Sequence, residues 1–236
     1  MEGGSEMLRT LDAAMEGFRK TNGLVLDVRG NGGGTRDALK ALLPYFMDPE
    51  AGPQVVNAGA LRLAPGATPD ADGGYLSNRS MYPLGWPRWT KGERRAVARF
   101  QRTFQPAWTL PEGMFSEWHY MVLSPSKVFY YRRPVVVLMD TGCFSATDIF
   151  LGAFAQQPGV TLMGTPSGGG SGRSRSITLV ESGLRLRLSS MASFQPTGAL
   201  YDGVGIQPDV LVPSAPKDFL QGGGDTSLEV AIRQLR

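Results

Sequence analysis

Two stretches of the chain place a short apolar run directly ahead of a turn of small residues and then a helical stripe. Residues 134–139 (Pro-Val-Val-Val-Leu-Met) are continuously apolar, as a parallel strand buried on both faces is. After the turn Asp140-Thr-Gly-Cys-Phe-Ser145, apolar Ile149, Phe150, Ala153 and Phe154 recur at helical spacing and predict a helix over 146–156. Upstream, Leu-Val-Leu at 24–26 runs into a glycine-rich turn, and Leu39, Leu42, Leu43 and Phe46 predict a helix from about Thr35. Met7, Leu8, Leu11, Met15 and Phe18 form the stripe of an amphipathic helix near the first residue. A strand over 54–60, a helix over 90–105 stopped by Pro106, and a hairpin over 175–188 complete the main elements. In that hairpin Leu184-Arg-Leu-Arg-Leu188 alternates strictly, the pattern of a half-buried strand. Thr226 is positioned to cap a last helix with Leu228, Val230 and Ile232 facing inward.

Both glycine-containing turns carry candidate chemistry. Ser145 falls at a helix N-terminus, where unpaired backbone N–H groups and the positive end of the dipole stabilise a developing oxyanion. The plain alternative is a serine that only caps the helix. Gly32, Gly33 and Gly34 allow positive φ and close backbone approach, which suits an oxyanion hole or a phosphate cradle. The phosphate reading fits poorly: a dinucleotide fingerprint needs glycine where Thr35 stands, and a P-loop needs Gly-Lys-Ser/Thr before the helix.

With 236 residues and 42% hydrophobic content, one sizeable core is affordable, and no stretch is apolar and long enough to span a membrane. Net charge is +3, and the basic run Lys91, Arg94, Arg95, Arg99 and Arg102 reads as the wet face of a helix rather than a nucleic-acid surface. Cys143 has no second cysteine to pair with and reads as a small packing residue. Residues 65–118, rich in proline and aromatics, are read as an insertion near the site. Trp86, Trp89, Trp108 and Trp118 line a cleft there, or bury a small core of their own.

The block at 24–34 resembles the Asp-x-Arg-x-Asn-x-Gly-Gly turn of the carboxyl-terminal processing (tail-specific) proteases, whose core is shared with the tricorn protease. Residues 135–150 resemble that family's nucleophile strand, Ser-Ala turn and helix; 164–172 and 203–209 resemble its Gly-x-x-Thr-x-Gly loop and Gly-x-Gly-Ile-x-Pro-Asp signature. The resemblance implies an α/β fold of the crotonase and Clp-protease kind, a stacked strand-and-helix superhelix with an added hairpin and the insertion. It also implies a serine-type peptidase acting on unfolded or C-terminal polypeptide segments. Ser145 would be the nucleophile, with Ala146 and Gly32 or Gly33 donating to the oxyanion. It implies no cofactor or metal, a polypeptide partner, a possible homo-oligomer, and a periplasmic or cell-envelope setting.

The lysine that most of these proteases use as base would stand at Gly170, and no lysine lies between Ser145 and Lys217. The tricorn-like branch uses histidine with an acid just before the closing signature, which places Asp202 in the acid's position. His119, the chain's single histidine, is a fallback base or a packing residue among aromatics. The branch's own histidine precedes the first glycine turn, so the chain is expected to be a catalytic-core fragment, residues 1–236 forming one domain. A non-catalytic peptide-binding member that has lost its base, and an acyl-CoA-handling crotonase relative, are the competing readings.

Overall fold

A computed structural model describes residues 2–63 and 74–236. Helix α1 (Glu2–Phe18) leads into strand β1 (Leu24–Asp27), helix α2 (Asp37–Leu42) and strand β2 (Gln54–Leu61). Next come β3 (Tyr82–Pro83), α3 (Lys91–Thr103), β4 (His119–Leu123), β5 (Val135–Met139), α4 (Ala146–Phe154) and β6 (Val160–Gly164). The hairpin strands β7 (Ser174–Thr178) and β8 (Arg185–Ser189), β9 (Met191–Phe194), β10 (Val210–Leu211) and α5 (Thr226–Gln234) complete the chain.

A parallel sheet, ordered β1-β5-β6-β10, holds the site. Its central strand β5 is apolar throughout because both faces are covered. Val135, Val137 and Met139 face the main core with Leu39, Phe150 and Phe154, while Val136 and Leu138 face a second cluster with Met163 and Ala231 of α5. Full burial of each such side chain contributes about 1.5–3 kcal/mol, which pins the register of β5 and so the turn that follows it. The antiparallel sheet β3-β4-β2-β9 lies across α4: Val56 and Met121 join the main core, and Val55, Ala58 and Tyr120 face the other way.

That outer face is covered by α3 and an aromatic set. Trp86 stacks on Tyr82 at 3.7 Å, and Trp89, Phe100, Phe104 and Trp118 pack around them. Residues 74–118, expected to belong to an insertion, therefore pack their aromatic cluster onto β2 and β4 rather than into a core of their own; residues 65–73 lie outside the described residues. Of its tryptophans only Trp108 is largely exposed.

Several local expectations change. The stripe expected to continue helically through Phe46 breaks at Leu43, where Pro44 opens a 3-10 turn. The cap of α5 is Asp225, whose carboxylate accepts the Leu228 N–H at 3.0 Å, and not Thr226. Ile232 is exposed; Ala231 and Leu235 share the inward face with Leu228 and Val230. Strand β8 is exposed on both faces rather than half-buried, as is β7.

Arg29, just past β1, forks onto two carboxylates. It donates to Asp27 at 2.9 and 2.6 Å and to Asp225 at 2.9 and 2.6 Å, tying the glycine turn to the start of α5. Both carboxyls are held below their ordinary range, first by the hydrogen bonds from Arg29, and Arg29 itself is raised. Depressed folded-state pKa values stabilise the fold above the unfolded value near 4, and that stability is lost as pH falls through the folded values. Because the carboxylates are a third to half exposed, screening limits the contribution to about 1 kcal/mol. Arg29→Met is expected to unfold more easily at pH 7 by that amount and to match the parent near pH 2, as read by urea titration at the two pH values.

Candidate active site

Ser145 closes the turn between β5 and α4 with φ +62° and ψ −115°. Among the described residues only Ser80 and Ser145 are non-glycine with positive φ. This conformation costs about 1–3 kcal/mol and persists where surrounding contacts enforce it, commonly at functional sites. An ordinary cap residue sits in the extended region instead, so the capping role alone does not account for it. A strained serine between a strand and a helix presents its hydroxyl outward with the helix N–H groups behind it.

The contacts that enforce it come from the glycine turn after β1. The Phe144 N–H donates to the Asn31 carbonyl at 3.1 Å, and the Cys143 thiol to the Val28 carbonyl at 3.1 Å. Asp140 Oδ1 accepts the N–H groups of Gly30 at 2.8 Å and Gly142 at 2.9 Å. Gly33, at φ +94°, lies against the serine turn so closely that a Cβ there would stand 2.5 Å from the Phe144 oxygen and 2.8 Å from the Ala146 nitrogen. The structure thus brings Ser145, Ala146 and Gly33 together. The Gly33 N–H is itself donated to Asn31 Oδ1 at 3.0 Å.

Asp148 is the residue that sequence reasoning missed. It is fully buried, and its two oxygens accept four hydrogen bonds. Oδ2 accepts the N–H groups of Ser145 at 2.7 Å and Gly170 at 3.0 Å; Oδ1 accepts the Ser167 hydroxyl at 2.5 Å and the Gly169 N–H at 3.3 Å. The signal was present in the spacing, an acid three residues after a serine at a helix start. Here one arm of that motif reaches beyond the helix to hold the 167–172 loop.

That loop is clamped on its other side by the turn carrying Asp202. Gly203 N–H donates to the Gly169 carbonyl at 2.9 Å, and Gly172 N–H to Asp202 Oδ1 at 3.2 Å. Asp202 Oδ2 is buried and, among the described residues, unpaired; burial raises its pKa above the ordinary carboxylate value. Gly170, in the expected lysine position, faces the Phe144 ring, which any side chain there would overlap. His119 stands in β4, in the antiparallel sheet, with Nδ1 2.9 Å from the Glu117 carbonyl. Among the described residues, neither His119 nor Asp202 hydrogen-bonds Ser145. The Cys143 thiol is buried and pushed up to about 11, chiefly by desolvation, so it is a poor nucleophile near neutral pH.

Beside Gly33 and Ala146 opens a cleft of about 380 Å³, largely apolar, lined by Met7, Leu11, Leu39, Leu42 and Phe150. No helix among the described residues is long and apolar enough to cross a membrane.

The sequence profile described as "Peptidase family S41" matches residues 2–212. A carboxy-terminal-processing protease of Bartonella bacilliformis is 36% identical over 102 residues, which is 43% of this chain and 23% of that protein. A candidate peptidase from Parabacteroides merdae superposes with a TM-score of 0.64 at 25% identity, over 97% of this chain and 56% of its own. Mature CPAF complexed with lactacystin superposes with a TM-score of 0.60 at 17% identity, over 97% and 45%, a likeness of fold. The chain thus spans about a quarter of the Bartonella protease and a little over half of the Parabacteroides peptidase. With the profile running from α1 into the strand after the 203–209 signature, and the serine turn, glycine turn and Asp202 turn inside it, the chain belongs to peptidase family S41.

Proposed function

We propose that the chain is the core of a serine-type peptidase that hydrolyses unfolded or C-terminal polypeptide segments, with Ser145 as nucleophile. The observation that carries this is the strained Ser145 turn locked against Gly33, with the Ala146 N–H alongside. Ser145 Oγ attacks the peptide carbonyl as its proton passes to a base, and the oxyanion is held by the Ala146 N–H and that of Gly32 or Gly33. Gly33 serves only by releasing Asn31 Oδ1, which favours Gly32 as the second donor. Collapse of the intermediate expels the amine, which takes the proton from the base, and water then hydrolyses the acyl-enzyme.

The base in this reading is a histidine oriented by Asp202, whose unpaired Oδ2 is an acceptor for an imidazole N–H. It is His119 after rearrangement, or a histidine from a segment outside these 236 residues; the latter agrees with His119 lying in the other sheet. The apolar cleft beside Gly33 would seat a substrate side chain next to the scissile bond. The pairing of a parallel sheet with a sheet crossing over α4 supports a crotonase-like superhelix.

The test is intact mass after a fluorophosphonate probe, applied to this chain and to a longer product carrying upstream sequence. Labelling that Ser145→Ala abolishes is the expected result. Labelling of the longer product alone locates the base upstream, and labelling of this chain points to His119 or a lysine within it. If neither form reacts, the hydrolase reading falls.

A further inference from the structure

The β7–β8 hairpin is the part of the fold that the peptidase site leaves unexplained. Its register pairs Arg175 with Leu188 and Ile177 with Leu186, so Arg175, Ile177, Leu186 and Leu188 share one face, while Arg185 and Arg187, opposite Thr178 and Ser176, lie on the other. Leu184 continues this face towards a tip carrying Leu179 and Val180. Every residue of both strands is exposed; Leu188 retains 53% of its surface, Leu184 60% and Val180 92%. A two-stranded hairpin is marginal in water without something packed on its apolar side. A contiguous exposed apolar face of this kind marks an interaction site.

Charge indicates what covers it. Arg173, Arg175, Arg185 and Arg187 against Glu181 give residues 173–189 a net +3. That equals the net charge of the whole chain, 24 Lys and Arg against 21 Asp and Glu, so the remainder balances to zero. A second copy offers no net counter-charge, and two such hairpins face to face repel. The fitting occupant is both acidic and apolar.

Position chooses between a polypeptide and a lipid surface. The hairpin root is fastened to the active-site loop: Ser190 N–H donates to the Arg173 carbonyl at 2.6 Å, and Gly172, packed on Ser189, donates to Asp202. A chain lying on the hairpin is therefore led towards the Asp202 and Ser145 turns. Among the described residues no further strand pairs with β7 or β8, and such an edge accepts an extended peptide through backbone hydrogen bonds. Glu181, beside Val180 at the tip, opposes entry into an anionic bilayer.

We propose that an outer edge of the hairpin takes up an extended substrate segment in which acidic and large apolar residues alternate, the apolar ones beside the face of Ile177, Leu186 and Leu188 and the acidic ones beside Arg185 and Arg187 on the opposite face. This rests on the peptidase reading and deepens it.

The test uses the whole chain carrying Ser145→Ala, so that binding is separated from turnover. Two fluorescent decapeptides are compared by anisotropy, one alternating Glu with Val and Leu, the other with Lys in place of Glu. The acidic peptide is expected to bind at least about tenfold more tightly at low salt, with the preference shrinking as salt is raised. Ile177→Ser with Leu186→Ser and Leu188→Ser, all at exposed positions, is expected to lose about tenfold in affinity. Arg185→Gln with Arg187→Gln is expected to abolish the preference. Equal binding of both peptides, or binding indifferent to the hairpin variants, overturns the proposal. Hairpin-dependent binding to phosphatidylglycerol vesicles without peptide binding overturns it in favour of a lipid surface. A hairpin-dependent dimer without peptide binding overturns it in favour of a second copy. Fluorophosphonate labelling of Ser145 without peptide binding sinks the docking surface alone; peptide binding without labelling in either chain form sinks the hydrolase reading alone.

Discussion

Asp148→Ala is expected to lower stability by about 3–5 kcal/mol, because the change leaves buried donors without an acceptor. Four groups lose their partner: the N–H of Ser145, Gly169 and Gly170, and the hydroxyl of Ser167. Each buried unsatisfied donor costs about 1–3 kcal/mol, and the total falls short of a simple sum because the 167–172 loop relaxes. At about 2–4 °C per kcal/mol for a chain of this size, the midpoint of thermal unfolding drops by roughly 10 °C. Ser145 is affected directly, since its N–H to Asp148 is one of the contacts that hold it at positive φ. Fluorophosphonate labelling is therefore expected to fall more steeply than stability, even at a temperature where the variant is fully folded. Asp148→Asn separates the two contributions. It keeps the shape, but whichever oxygen becomes an NH₂ then faces a backbone N–H, from Ser145 and Gly170 on one side or Gly169 on the other. The less damaging orientation points the NH₂ at Ser167, whose hydroxyl also accepts the Ile206 N–H at 2.8 Å and has lone-pair capacity left. Asn is thus expected to retain the fold with a smaller loss, and an Asn variant as unstable as Ala would show that charge, not hydrogen bonding, holds the loop.

The sequence was most legible where one chain segment contains the whole cause. The continuous apolar run of β5 announced burial on both faces, and the small-residue turn after it announced Ser145 at a helix N-terminus, though not its positive φ. What depended on a partner distant in sequence was not legible. The position of Gly170 in the lysine slot could be read, but not that the Phe144 ring fills the slot, since the two meet only through the return of the 167–172 loop. Asp148 carried a capping signature, yet nothing local said that its second oxygen would hold Ser167 and Gly169. Alternation in β8 told which side chains share a face; it did not tell whether anything covers that face, and none of the described residues does. The cap of α5 moved by one residue because Asp225 both caps the helix and receives Arg29, a contact from the far end of the chain.

Gly33→Ala is expected to damage the site more than any other single methyl group in the glycine turn. Three neighbours form a controlled series. A Cβ on Gly32 meets nothing within 4 Å and its φ is not positive, so Gly32→Ala is expected to be close to neutral in stability. At Gly34 the space is open but φ is +138°, so alanine adds backbone strain of about 1–2 kcal/mol and little else. At Gly33 the strain at φ +94° combines with contacts of 2.5 and 2.8 Å to the Phe144 oxygen and Ala146 nitrogen. Those are backbone atoms of the Ser145 turn and have no rotamer by which to move aside. Relief requires the two turns to separate, which stretches the Phe144 N–H to Asn31 bond and carries the Ala146 N–H away from the position an oxyanion would occupy. Loss of one oxyanion donor lowers turnover by about 100- to 1,000-fold. Fluorophosphonate labelling rates across the three variants are expected to fall in the order Gly32→Ala, Gly34→Ala, Gly33→Ala, with Gly33→Ala lower by about 100-fold. A Gly33→Ala protein that labels as fast as Gly32→Ala would mean that the close packing of the two turns does not set the position of the Ala146 N–H.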